Sequence, residues 1–348
     1  MNFRRRLGAV LMAGTLAAAL AACSSDGGSD EQASEAPSGD ALTLYSGRSE
    51  NLVAPLIEQL EGTLGFPIDV VYGGTPEITG KLIEEGDASP ADVVFSQDAG
   101  ALAILDQAGM LSPLPAAVTD LVPEKYRATD GGWVATSARA RVLVYNDDKV
   151  QPQALPTGID GLLDPKWKGQ VGFAPTNASF QSFVTALRVA RGEDGARQWL
   201  EAFKANDPIA FEGNGPLMEG VDSGQATLGL TNHYYWYGLA EERGAENLAV
   251  QIHYFAPGDP GALVNIAGAG VLATTDRTEQ AEQFVAALLS PESQAYFADE
   301  TSEYPVVDGV QTKDELRPLN EVGTADIDLA ELASLDQTQA LLQELGFI

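Results

Sequence analysis

The sequence is short of the residues on which much protein chemistry depends. Its 348 residues hold one cysteine and two histidines. A single cysteine excludes an internal disulfide and a thiolate metal cluster. Two histidines, His233 and His253, exclude a histidine-rich zinc site. Cations are scarce: 20 Lys and Arg stand against 50 Asp and Glu, for a net charge of −30. A surface this acidic repels phosphate backbones, so nucleic acid is not an expected partner. The sequence has no Walker loop, no HExxH, no Ser-His-Asp order and no Cys–His pair. An enzyme is therefore not expected.

What is present begins with an address. Arg4, Arg5 and Arg6 precede an apolar, Ala-rich run over residues 7–22. That run is short for a membrane span and suits a signal peptide. It closes on Leu20-Ala21-Ala22-Cys23, a lipobox, and the sole cysteine stands where lipidation requires it. Removing residues 1–22 takes away three arginines and no acids, so the charge moves from −30 to −33. Residues 23–40 are rich in Ser, Gly and acids and read as a flexible tether. A diacylated Cys23, a tether and a globular body place the protein on the extracytoplasmic face of the cell membrane.

The body is 45% apolar like the whole chain and is long enough for two lobes. Residues 41–45 read as a strand, and Ser49 can cap a helix carrying Leu52, Val53, Leu56, Ile57 and Leu60. A strand over 66–72, a helix opened by Pro76, a strand over 91–96 and a helix over 101–108 follow. This βαβαβ order predicts a parallel sheet covered by helices. A second α/β region has strands over 170–173 and 226–231 and helices from about Phe180 and over 196–204. Residues 263–273 are extended, 278–289 helical, and 329–345 one or two helices. The expected architecture is α/β, with lobe one over 41–139 plus about 265–315. Lobe two takes 140–264 plus the C-terminal helices, about 316–348. Extended crossings make the hinge, and a ligand would be clamped in the cleft.

Two segments carry chemistry. In the run 231–237, Tyr234 and Tyr235 follow a strand; a straight strand would send them to opposite faces, so one shared ligand requires a turn. Two phenolates suit a hard, highly charged cation such as ferric iron. The same run could fill a core or cage an organic cation. In 172–180 a strand ends, Thr176 or Asn177 caps, and a helix begins, presenting free N–H groups to an anion. An ordinary capped helix would read the same way.

The chain resembles the bacterial periplasmic ferric iron-binding proteins, the bacterial transferrins of iron importers. The likeness runs in order through 44–48, 89–93, 133–145, 165–168 with 172–180, 232–236, 259–264 and 303–305. The resemblance implies a two-lobe periplasmic-binding-protein clamp and a monomer that serves an ABC permease and its ATPase. It implies Fe(III) as cargo, bound by Tyr234 and Tyr235, with a synergistic anion, phosphate or carbonate. The positions matching the anion pocket are Asn177, Ala178, Ser179, Asn214 and Asn232, and Arg139 and Arg141 match a cleft pair that can balance the anion. Those two arginines could equally bridge the lobes to acids. Where members with this pocket add a His and a Glu, this chain has Ser49 and Gln97. Asp98 is then a candidate replacement carboxylate, ahead of Glu50 and His233. A related clamp could instead take a polyamine, thiamine or an organophosphonate.

Overall fold

The computed structural model describes residues 41–312 and 316–348. The signal peptide, Cys23 and the tether lie outside the described residues.

In chain order the strands are β1 (Leu42–Ser46), β2 (Ile68–Tyr72), β3 (Val93–Ser96), β4 (Leu111–Ser112) and β5 (Val134–Asn146). They continue as β6 (Val171–Phe173), β7 (Ile209–Ala210), β8 (Leu228–Asn232), β9 (Val250–His253) and β10 (Val264–Leu272). The helices are α1 (Glu50–Leu64), α2 (Thr75–Glu85), α3 (Ala99–Gln107), α4 (Ala116–Thr119) and α5 (Ala178–Ala205). After them come α6 (Asn214–Asp222), α7 (Tyr234–Arg243), α8 (Thr278–Leu288), α9 (Pro291–Glu300) and α10 (Leu335–Glu344).

The strands join in the order β2-β1-β3-β10-β5-β8-β6-β7, with β4 on β10 and β9 on β5. Strand β1 runs parallel to β2 and β3, and β6 runs parallel to β7 and β8. The mixed character comes from β5 and β10, whose pairings are all antiparallel. Strand β5 changes partners midway. Residues up to Ala140 pair with β10, and Arg141 to Tyr145 pair with β8. One extended segment thus belongs to both halves of the sheet.

Alternation along β5 builds two cores. Val142 and Val144 face the side on which α6 packs, while Leu143 and Tyr145 face α5. Gly229 of β8 allows α6 its close approach, since a Cβ there would meet Leu217 at 2.6 Å and Val144 and Val221 at 3.0 Å. Beneath α5, Phe173, Phe180, Phe183, Trp199 and Phe203 form a ladder of ring contacts between 5.0 and 5.8 Å. The two helices expected around Phe180 and over 196–204 are both present as the two parts of α5, separated by a non-helical kink at Gly192, where φ is 70°. Only glycine takes that conformation without strain. The C-terminal chain reaches both halves: the Leu332 carbonyl lies against Gly100 of α3, and α10 packs on α5. Among the described residues no helix is long and apolar enough to cross a membrane.

Candidate metal and anion site

Strand β8 ends at Asn232, and His233 takes helical φ/ψ as the residue before α7. The turn that two adjacent tyrosines require is therefore a strand-to-helix junction. Tyr234 and Tyr235 occupy the first turn of α7, with ring centroids 4.5 Å apart and planes 29° apart. Trp236 ties the helix to β9 by donating its indole N–H to the Val250 carbonyl at 2.7 Å. In the metal-free protein burial, and behind it the neighbouring Tyr235 ring, pushes the Tyr234 phenol well above its ordinary value.

The two tyrosines line a cavity of about 440 Å3, together with Ser49, Gln97, Met218, Leu239 and Ser302. Glu219, Glu241, Glu242 and Glu300 also line it. Among the described residues no group of three or more His, Cys, Asp or Glu side chains is placed to hold a metal. The oxygen donors grouped with the tyrosines are therefore hydroxyls, the amides of Asn51 and Gln97, and dispersed carboxylates.

His233 is buried and spent on structure. Its Nδ1 accepts from the Ala140 backbone N–H at 3.2 Å, so the proton sits on Nε2, which donates to the Ser302 carbonyl at 2.8 Å. The ring stacks on Tyr304 at 4.4 Å. Burial pulls the imidazole down to about 4, so it is neutral at neutral pH. Both ring nitrogens are occupied, and no lone pair faces a ligand. Ser302 itself holds φ 53°, an uncommon conformation for a residue with a Cβ. The sequence offers no sign of that backbone strain at the cavity wall.

Asp98, the candidate replacement carboxylate, does not line the cavity as its neighbour Gln97 does. Its Oδ1 caps α3 by accepting from the Gly100 N–H at 2.8 Å. Its Oδ2 accepts from Ser182 at 2.6 Å and Asn265 at 2.7 Å. Arg139 lies 4.0 Å from the same oxygen and donates to the Gln97 carbonyl. Glu50 does not line the cavity either.

Of the residues expected to form an anion pocket, Asn177, Ala178, Ser179 and Asn214 meet at the start of α5. Asn177 Oδ1 accepts from the Ser179 N–H at 2.9 Å, the Ser179 hydroxyl at 2.7 Å and Asn214 Nδ2 at 3.1 Å. Asn214 Nδ2 also donates to Ser179 Oγ at 2.9 Å. Ala178 begins the helix, and Asn232 pairs in register with Arg141. Arg141 is buried; it donates to the Ser179 and Leu230 carbonyls at 3.1 and 3.4 Å and lies over Phe183 at 4.9 Å. No carboxylate pairs with it among the described residues, and its Nε has no partner. Burial pulls its guanidinium down to about 9. A buried cation with no counter-charge is costly, and an anion at the adjacent helix start would offset that cost.

Residues 88–328 match a family described as bacterial extracellular solute-binding protein. The chain is 33% identical to the Fe(3+)-binding periplasmic protein of Serratia marcescens, across 91% of this chain and 93% of that one. It is 31% identical to the major ferric iron-binding protein of Neisseria meningitidis, across 88% and 92%. Iron-bound HitA from Pseudomonas aeruginosa superposes with a TM-score of 0.83 at 33% identity, covering 88% of this chain and 99% of that one. The fold is accordingly the two-lobe clamp of periplasmic binding proteins.

Proposed function

We propose that this chain, which belongs to the family of bacterial extracellular solute-binding proteins and is not an enzyme, captures ferric iron with a synergistic anion and delivers it to an ABC permease. The observation that carries this reading is the stacked pair Tyr234 and Tyr235 on one wall of the cavity, 4.5 Å apart at a helix start. The ligands named for the similar proteins, Fe(3+) and ferric iron, agree with that chemistry.

The tyrosines select by Lewis acidity. A phenol ionises near pH 10 in water, and burial raises Tyr234 further. A weak Lewis acid leaves both rings protonated. A trivalent, hard cation displaces both protons to solvent and gains two anionic oxygens. Those two charges neutralise two of three on iron. The remaining charge and open coordination positions call for an anion. Arg141, the N–H groups at the start of α5 and the Asn177–Ser179–Asn214 cluster are the groups to hold it.

We further propose that Cys23 anchors the chain to the membrane, that residues 23–40 tether it, and that the lobes divide near 139–140 and 264–265. The bound protein acts as a monomer on the permease and its ATPase.

Titration of ferric citrate into protein stripped of anions, with and without phosphate or carbonate, tests the reading. A visible phenolate-to-iron band and tight binding should appear only when the anion is present. Ferric protein without that band in any anion contradicts the assignment of the tyrosines. Equal affinity with and without anion contradicts the anion's part in it.

A further inference from the structure

Asp98 and Ser182 serve different cores and meet between them. Asp98 caps α3, whose Ala99, Leu102 and Leu105 lie in the core around β1, β3 and β10. Ser182 belongs to α5, which fills the other core with Phe180 and Phe183. The buried Ser182 hydroxyl donates to Asp98 Oδ2 at 2.6 Å. The same oxygen also accepts from Asn265 of β10 at 2.7 Å. Ser182 stands one helical turn after Ser179, so it shares the face of α5 that carries the anion-pocket hydroxyl. The C-terminal chain links the same two helices from another side. Thr338 bonds Thr185 of α5 at 2.7 Å, and the Leu332 carbonyl lies where a Cβ on Gly100 of α3 would meet it at 2.5 Å. The cavity is likewise shared between the halves, with Ser49 and Gln97 from one and Tyr234, Tyr235 and Met218 from the other. The bond from Ser182 to Asp98 therefore joins the halves in an arrangement that brings both walls to one cavity.

We propose that the hydrogen bond from Ser182 to Asp98 is a latch that holds the clamp closed over its iron; this rests on the ferric reading above. A hydroxyl on a carboxylate makes one of the stronger hydrogen bonds available to side chains. Spreading the cavity walls draws α3 away from α5 and breaks it. A contact made in one arrangement and lost in the other biases the balance between them by its own worth. Opening leaves neither group stranded. Asp98 Oδ2 keeps Asn265, and a serine inside a helix can turn to the carbonyl four residues back, here Ala178. The latch can therefore be broken and remade without a buried polar atom losing every partner. Ser182 is a positioning residue: it acts through the separation of the walls. Its loss should change how fast iron leaves and should not change the colour of the complex.

The test compares wild type, Ser182→Ala, Asp98→Ser and the double variant, each loaded with ferric iron and phosphate. The readouts are the decay of the phenolate-to-iron band after excess citrate is added, and thermal melting of the iron-free and iron-loaded proteins. Ser182→Ala should keep the band at its wild-type position and release iron about tenfold faster, the scale of one hydrogen bond to a charged group. Its iron-free form should melt at or above the wild-type temperature, since alanine is the better helix former, while its loaded form melts lower. Asp98→Ser keeps an oxygen to cap α3 but withdraws it from Ser182. Adding Ser182→Ala to Asp98→Ser should then change the release rate by less than about twofold, because the shared bond is already gone. Release from Ser182→Ala at the wild-type rate or slower overturns the latch. So does a double variant whose two effects multiply. An equal fall in melting temperature with and without iron assigns Ser182 to support of the fold and also overturns it. Each of these results with an intact wild-type band leaves the ferric reading standing. Absence of the band in wild type overturns both.

Discussion

Arg48 and Glu303 stand 255 positions apart and form a buried two-pronged ion pair, with Nη2 to Oε2 at 2.7 Å and Nη1 to Oε1 at 3.0 Å. Ser137 adds a hydrogen bond to Oε2 at 2.9 Å. The pair fixes the segment that carries Ser302, whose carbonyl receives the His233 proton one residue before Tyr234. The first loop, β5 and the start of α7 are thereby set relative to one another.

Removing one partner should be severe. Glu303→Gln leaves Arg48 buried without its counter-charge and should cost about 3–5 kcal/mol of unfolding free energy. Replacing both with apolar residues of similar volume should recover much of that loss. Urea unfolding of the iron-free variants checks this; a loss below about 1 kcal/mol for Glu303→Gln would contradict it.

Acid should weaken the iron-free fold in two ranges. Burial has pulled the His233 base from an ordinary 6.5 down to about 4, so its share of stability is present above pH 6.5 and is lost as pH falls toward 4. The shift corresponds to roughly 3 kcal/mol. Burial pushes the Glu303 carboxyl up, but Arg48 outweighs it and holds the group below the usual carboxylate range. Its contribution is present above about 4.5 and is lost as pH falls through its folded value. Unfolding midpoints of wild type and His233→Gln should differ in slope between pH 6.5 and 4; parallel curves would count against the buried neutral imidazole.

Asp98→Asn keeps an oxygen to cap α3 but turns the second acceptor into a donor facing Asn265 and Ser182. It should destabilise the protein by about 1–2 kcal/mol and leave the visible band in place. If a folded Asp98→Asn protein loses iron, the carboxylate is a ligand after all.

Cys23→Ala should abolish lipidation and release the body from the membrane fraction. Retention in that fraction with normal processing would remove the anchor from the account.

The sequence was informative where local chemistry decides. Helical spacing in 52–60 and the strands around it announced the parallel sheet of β1, β2 and β3. Asn177 was legible as a cap, and it does cap α5. The adjacency of Tyr234 and Tyr235 was visible, as was their need for a turn. Helix α7 was not, because four aromatic residues in a row carry strand propensity and hide a helix held by packing on β9. The pairing of Arg48 with Glu303 and the donors that occupy His233 Nδ1 and Asp98 Oδ2 depend on contacts across 84 to 255 positions. Nothing in local composition encodes those partners.

Each tyrosine can be tested directly. In ferric titrations with phosphate present, Tyr234→Phe and Tyr235→Phe should each lose most of the iron affinity and weaken or shift the visible band, and the double variant should show no band. The double variant should melt near wild type when iron-free, since rings of nearly the same shape remain. A double variant that still binds ferric iron tightly and stays coloured would contradict the claim that these two phenolates hold the metal.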